Sequence, residues 1–148
     1  MNDEYNYNVL TVLTPKLITD ILDTPGINII IIKFGASWCG PCKKISPVYK
    51  QFIQDINRNN NINNNIVFAD IDIDTDINNE LYSTLKRLKM IKGVPTIMAF
   101  YKNKNREHWY VPDDTVNGYN IEHLTAFFNR CIRQNNLLAK INNKNNVL

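Results

Sequence analysis

Residues 28–34, Asn-Ile-Ile-Ile-Ile-Lys-Phe, form a nearly continuous apolar run broken by one charge, Lys33. A strand that is apolar at both parities has no solvent face, so it belongs in a sheet covered by helices on both sides. The run is far too short to span a membrane. The rest of the chain must therefore supply helices for two faces. With 148 residues, 44% of them apolar, it can build one core of ordinary size and has little room for a second domain.

The flanking sequence meets that demand. Residues 9–13 are β-branched and read as a first strand. Thr14-Pro15 reads as an N-cap with proline at the first helical position, and Leu17, Ile18, Ile21 and Leu22 follow at helical spacing up to Pro25-Gly26. A helix is expected over residues 41–57, with Ile45, Val48, Tyr49, Phe52, Ile53 and Ile56 inward and a kink at Pro47. Residues 57–65 are an asparagine-rich loop, and residues 66–73 alternate as a central strand. Residues 77–90 are amphipathic through Ile77, Leu81, Leu85 and Leu88. Strand 97–101 follows, then a hairpin over 102–106, a last strand at 108–111 and a polar loop over 112–118. A final helix spans 121–138, with Leu124, Phe127, Phe128, Cys131 and Ile132 inward, and residues 139–148 read as a disordered tail. The expected class is α/β: a central mixed sheet flanked by helices on both faces, in the order β-α-β-α-β-α-β-β-α, with the domain over 9–138 and a polar segment over 1–8.

A net charge of +3 gives no reason to expect nucleic acid or an anionic membrane as partner. Asparagine, isoleucine and lysine are over-used, and the AT-rich codons of all three explain this without a functional cause. Residues 1–8 lack the basic start and apolar stretch of a signal peptide, and no Asn-x-Ser/Thr sequon occurs. An intracellular protein is expected, where a disulfide is more often catalytic than structural. Of three cysteines, Cys39 and Cys42 share a C-x-x-C and Cys131 stands alone.

Two thiols three residues apart at the start of a helix lie one turn apart on one face, close enough to bond. Cys39 sits where unpaired N–H groups and the helix dipole favour a negative charge, which suits it to attack as a thiolate. Cys42, one turn deeper, is placed to resolve the mixed disulfide, while Pro41 stiffens the first turn. A zinc or iron–sulfur site needs ligands that Cys131, His108 and His123 do not supply at suitable spacing.

Phe34-Gly35-Ala36-Ser37-Trp38-Cys39-Gly40-Pro41-Cys42-Lys43, with Pro47 five residues past the second cysteine, resembles the active site of the thioredoxin family. Gly93-Val94-Pro95-Thr96 resembles that family's cis-proline loop, and the element order is similar to the thioredoxin fold over residues 9–138. The resemblance implies that Cys39 is the nucleophile and Cys42 the resolving thiol. It implies that Trp38, Gly40, Pro41, Val94 and Pro95 form the substrate-binding surface, with Pro95 cis. It further implies reduction of protein disulfides without a bound cofactor or metal, in electron transport and cell redox homeostasis. The expected partners are disulfide-containing proteins and a dithiol electron donor such as a thioredoxin reductase. A cytoplasmic monomer is expected, or one in a virion or host cytoplasm for a viral source.

Two departures stand out. The family usually carries a buried aspartate six residues before the first cysteine, and this chain has Lys33 there. Asp70 stands where many relatives have a lysine, so Lys33 and Asp70 are candidates for an acid–base pair with its ends exchanged, handling the proton of Cys42. In the alternative, Lys33 snorkels to the surface and Asp70 is solvated. The second departure follows Tyr110: Val111-Pro112-Asp113-Asp114-Thr115 occupies the region where the family presents a glycine near the cysteines, which would put acidic groups at the docking surface. Elsewhere, Cys131 reads as a buried inert thiol or a regulatory one. His108 and His123 read as rim histidines, and Trp109 and Tyr110 as packing. Asp72, Asp74 and Asp76 read as a solvated strand end rather than a calcium loop. The competing functions are a pathway-specific oxidase or isomerase and a binding module with incidental thiols.

Overall fold

A computed structural model describes residues 8–58, 65–103 and 105–145, with side chains up to residue 142. The elements are β1 (Val9–Leu10), α1 (Pro15–Asp23), β2 (Ile29–Gly35), α2 (Gly40–Arg58), β3 (Ile66–Asp72), α3 (Asp76–Arg87), β4 (Thr96–Tyr101), β5 (Asp114–Asn117) and α4 (Ile121–Asn145). The sheet runs β1-β3-β2-β4-β5. β1, β3 and β2 are parallel, and β4 and β5 are antiparallel to their neighbours. This is the α/β architecture and element order expected from the sequence.

All seven residues of β2 are buried, because the strand lies at the middle of the sheet. Its alternate residues feed two cores. Ile30, Ile32 and Phe34 pack with Ile18 of α1 and Leu81 and Leu85 of α3. Ile29 and Ile31 pack with Ile45, Tyr49 and Ile53 of α2 and Phe127 of α4. Each such side chain contributes about 1.5–3 kcal/mol by leaving water, so the sheet is held from both faces. Lys33 shares the parity of Ile29 and Ile31, which turns it toward α2.

The helix starts follow local chemistry. Thr14 Oγ1 accepts the Leu17 N–H at 3.2 Å, with Pro15 at the first helical position. The turn that leaves α1 needs φ +88° at Gly26, a value only glycine adopts freely.

Three expectations require correction. The last strand is Asp114–Asn117, not residues 108–111, and the polar loop expected over 112–118 contains it. Trp109 and Tyr110 instead lie half-buried in turns against the α1–α3 core, so their affinity for a pleated surface misplaced the strand. On α3 the inward position is Asn78, 1% exposed, whereas Ile77 is 54% exposed. Asn78 Oδ1 accepts the Leu13 N–H at 3.0 Å and its Nδ2 donates to the carbonyls of Thr11 (2.9 Å) and Asp72 (3.2 Å). A buried amide that satisfies three backbone groups outweighs the burial of one isoleucine there. Finally, α4 runs on to Asn145 instead of ending at Leu138. The extension is anchored at its polar side: Asn28 Nδ2 donates to Asn135 Oδ1 at 3.2 Å, and Asn142 Nδ2 to Asn28 Oδ1 at 3.1 Å. Most of the asparagine-rich loop, 59–64, lies outside the described residues.

Candidate active site

β2 ends at Gly35 and the chain turns immediately into α2. The Cys39 N–H donates to Ala36 O at 3.2 Å, closing the turn that sets Cys39 just before the first helical residue. Its sulfur accepts the Cys42 N–H at 3.2 Å. This is the place an N-cap oxygen takes, so one first-turn donor, with the helix dipole, is aimed at Sγ of Cys39 and favours negative charge there. Pro41 falls in that first turn, where its missing N–H costs no hydrogen bond. Cys39 and Cys42 are joined as a disulfide with Cα atoms 5.2 Å apart, and both are nearly buried.

Trp38, in contrast, is 67% exposed. Its indole N–H donates to Asp74 Oδ2 at 2.9 Å, which holds the ring over the turn between β3 and α3. Asp74 is itself set by its own N–H donating to Asp72 Oδ1 at 2.9 Å. The run of alternating aspartates therefore shapes a turn and orients Trp38.

The second wall is the loop before β4. The Val94–Pro95 bond is cis. Thr96 pairs with Phe34 across the antiparallel ladder, so Pro95 lies at the same sheet end as Gly35 and the cysteine turn. Val94 packs against the core cluster that contains both cysteines. The Pro95 carbonyl accepts the N–H of Gly118 at 3.1 Å, and Gly118 has φ +79°. Gly118 is thus the glycine beside the cis-proline loop, seven residues beyond the place where the sequence suggested a departure.

The acidic residues of that segment lie elsewhere. Asn117 pairs with Thr96 and Asp114 with Ala99, so Asp113 and Asp114 stand toward the opposite end of the sheet. Asp113 pairs with Arg106, and Asp114 with Arg130 at 2.7 Å. The expectation of acidic groups at the docking surface is therefore overturned, because the antiparallel direction of β5 carries them away. Tyr119, half exposed next to Gly118, carries the Lys44 ammonium 4.5 Å from its ring centre.

Beneath Cys42, Lys33 and Asp70 are register partners on β2 and β3. The Lys33 Nζ lies 3.1 Å from Asp70 Oδ1, with side chains 6% and 24% exposed. Lys33 thus forms the ion pair and does not snorkel. The ammonium also donates to Ser46 Oγ at 3.0 Å, and Ser46 Oγ donates to the Cys42 carbonyl at 3.0 Å. These residues border an open cavity of about 680 Å³ that reaches Cys42 and Gly35.

Cys131 is fully buried at the other end of the sheet. Burial first, then the nearby Asp114 charge, push its thiol up to about 12. The same two influences, with Cys131 between them in weight, push the Tyr101 hydroxyl up. His108 stacks on Tyr110 at the surface and His123 is exposed. No group of three or more His, Cys, Asp or Glu side chains suited to a metal ion occurs among the described residues.

Both cysteines, Trp38, Gly40, Pro41, Val94 and Pro95 come together at one sheet end, with Lys33 and Asp70 behind them. Asp74, Ser46 and Gly118 also belong to this site. Gly118 had a signal, a glycine just before the last helix, and Asp74 stood in the alternating aspartates read as a solvated strand end, whereas Ser46 had none.

The thioredoxin family profile matches residues 11–130. The thioredoxin of Coprinus comatus is 40% identical over 73 residues, 49% of this chain and 58% of that protein. That of Oryctolagus cuniculus is 31% identical over 87 residues, 57% of this chain and 69% of that protein. Among solved structures, the oxidised thioredoxin of Plasmodium falciparum superposes with a TM-score of 0.56 at 21% identity, covering 84% of this chain and 99% of that one, which shows a shared fold. With the family matched over most of its length and a C-x-x-C pair closed at the start of α2, the chain belongs to the thioredoxin family and is a thiol–disulfide oxidoreductase.

Proposed function

We propose that this protein reduces disulfides in protein substrates, with Cys39 as nucleophile and Cys42 as resolving thiol. The observation that carries this reading is the Cys39 sulfur at the head of α2, accepting the Cys42 N–H. The Cys39 thiolate attacks one sulfur of the substrate disulfide, and the other sulfur leaves as a thiolate. Cys42 then attacks the Cys39 sulfur, the bond to the substrate breaks, and the second substrate sulfur leaves. Two electrons pass from the dithiol to the substrate, and the protein is left as the Cys39–Cys42 disulfide.

The exposed Trp38, the Gly40-Pro41 turn and the Val94-Pro95 loop are the proposed docking surface for an extended substrate segment. Lys33 and Asp70 are the proposed route for the Cys42 proton, with Asp70 passing it toward the open cavity. A dithiol donor such as a thioredoxin reductase would return the protein to its reduced form. Cytoplasmic work as a monomer fits this chemistry. No helix among the described residues is long and apolar enough to cross a membrane.

A redox titration of the cysteine pair against glutathione, read by Trp38 fluorescence, tests the direction. A potential near about −270 mV supports the reductase. The second reading, an oxidase or isomerase, is favoured by the Lys33 cation behind the pair, and a potential of about −180 mV or above would establish it.

A further inference from the structure

Lys33 is the one charged residue of β2, and its neighbours on the strand are wholly buried. A buried ammonium is costly unless its N–H groups are engaged. Two engagements are made, to Asp70 and to Ser46. The Ser46 contact is the informative one. Its hydroxyl accepts from Lys33 and donates to the Cys42 carbonyl, so one side chain ties the cation to the backbone of the deeper cysteine. Pro47 follows directly and breaks the regular helix ladder at this turn, where a serine hydroxyl bonding back four residues also bends a helix.

The opening at Gly35 shows what this tie achieves. A Cβ there would stand 3.6 Å from the Cys42 sulfur and 4.0 Å from the Lys33 Nζ. Sulfur and ammonium therefore flank one methyl-sized gap, which glycine leaves open. Other charged groups border the same cavity: Lys43 and Lys50 from α2, and Asp70 and Asp72 from β3. Lys33 is the one that is both buried and tied to Cys42.

We propose that Ser46 and Lys33 are positioning residues for the resolving step: Ser46 holds the Lys33 ammonium beside Cys42, so that a positive charge faces this sulfur as it becomes a thiolate. This deepens the proposed mechanism and rests on Cys42 being the resolving thiol. A cation beside a thiol favours its ionised form; the Asp70 carboxylate, 3.1 Å from the same ammonium, offsets part of that field, so the gain is no more than about tenfold. A more acidic thiol is also a weaker nucleophile, with a dependence of about 0.4–0.5 of the change in acidity. The net gain in resolving rate below the thiol's midpoint is then no more than about three- to fourfold.

Rapid-mixing kinetics of the reduced protein with 5,5′-dithiobis(2-nitrobenzoic acid) separates the steps. The first thionitrobenzoate is released when Cys39 attacks, and the second when Cys42 resolves the mixed disulfide. Lys33→Met should slow the second phase by up to about three- to fourfold near pH 7 and move its pH midpoint up by as much as about one unit, with the first phase little changed. Ser46→Ala should move the midpoint in the same direction by less, and Lys33→Arg should restore part of it. Ser46→Ala and Lys33→Arg keep the proposal open to test should Lys33→Met fold poorly. Second-phase pH profiles that coincide in wild type, Lys33→Met and Ser46→Ala would overturn it, as would a midpoint that falls in Lys33→Met. Release of both thionitrobenzoates by Cys42→Ser, which should stop after the first, would instead refute the assignment of Cys39 and Cys42 to attack and resolution.

Discussion

At one end of the sheet, Asn28 gives its amide to Asn135 at 3.2 Å and receives that of Asn142 at 3.1 Å. Five residues further along the chain, at the other end, Lys33 holds Asp70 at 3.1 Å and Ser46 at 3.0 Å next to Cys42. Both Asn28 and Lys33 are nearly buried polar groups facing helices that cover the same sheet. The amides are neutral and satisfy one another, so nothing there titrates and the contact only anchors α4. The ammonium costs more to bury and lies beside Cys42, where the proposed resolving step forms a thiolate. Burial of a polar group therefore has two uses in this molecule, and charge separates them.

Substitutions at the two ends should separate activity from stability. Cys39→Ser should lower disulfide reduction about a thousandfold or more while leaving the urea midpoint near that of the reduced wild type. Asn28→Leu should do the reverse: it strands the buried Asn135 acceptor and costs about 2–3 kcal/mol in chemical denaturation, with turnover per folded molecule unchanged. A matching loss of turnover in Asn28→Leu would break the contrast.

Alkaline pH sharpens it further at the anchoring end. The Cys131 thiol is raised from 9.0 to about 12, so the folded state holds this proton more tightly than the unfolded one. Its contribution is complete below about pH 9 and is lost as pH rises from 9 toward 12, at up to about 1.4 kcal/mol per pH unit. Tyr101, raised from 10.0 by burial first, adds a loss of the same sign above its ordinary value. Cys131→Ala, whatever it costs at neutral pH, should flatten the fall in melting temperature above pH 9; an unchanged slope would show that other groups set it. The smallest effect is expected for Arg130→Ala, which removes the ion pair with Asp114 but leaves a half-exposed site. A loss of about 0.5 kcal/mol is expected, measured as a small shift in denaturation midpoint.

The parts of this design that were legible in the sequence are those written by neighbouring residues. The buried strand at residues 28–34 announces itself because its side chains are apolar at both parities, and Thr14-Pro15 announces a helix start. The cysteine pair is local in the same way. β5 was not legible: Asp-Thr-Val-Asn has one buried residue, Val116, and owes its pairing to β4. Asn78 was hidden for a similar reason, since only the fold brings Leu13, Thr11 and Asp72 to one amide. The Lys33–Asp70 contact was conceivable from strand order alone, but whether the lysine turned inward depended on what α2 offered it. Ser46, polar in an otherwise ordinary helical stretch, gave no sign that it would be that offer.

Tyr49 has a mechanical consequence for the whole cycle. Its wholly buried hydroxyl, near the middle of α2, lies 2.8 Å from the Ala69 carbonyl and 3.1 Å from that of Ile31. One side chain thereby pins the waist of the helix to two adjacent strands, β2 and β3. Sliding α2 along the sheet would break both contacts, so the cysteines at its head are carried on a helix fastened at its waist.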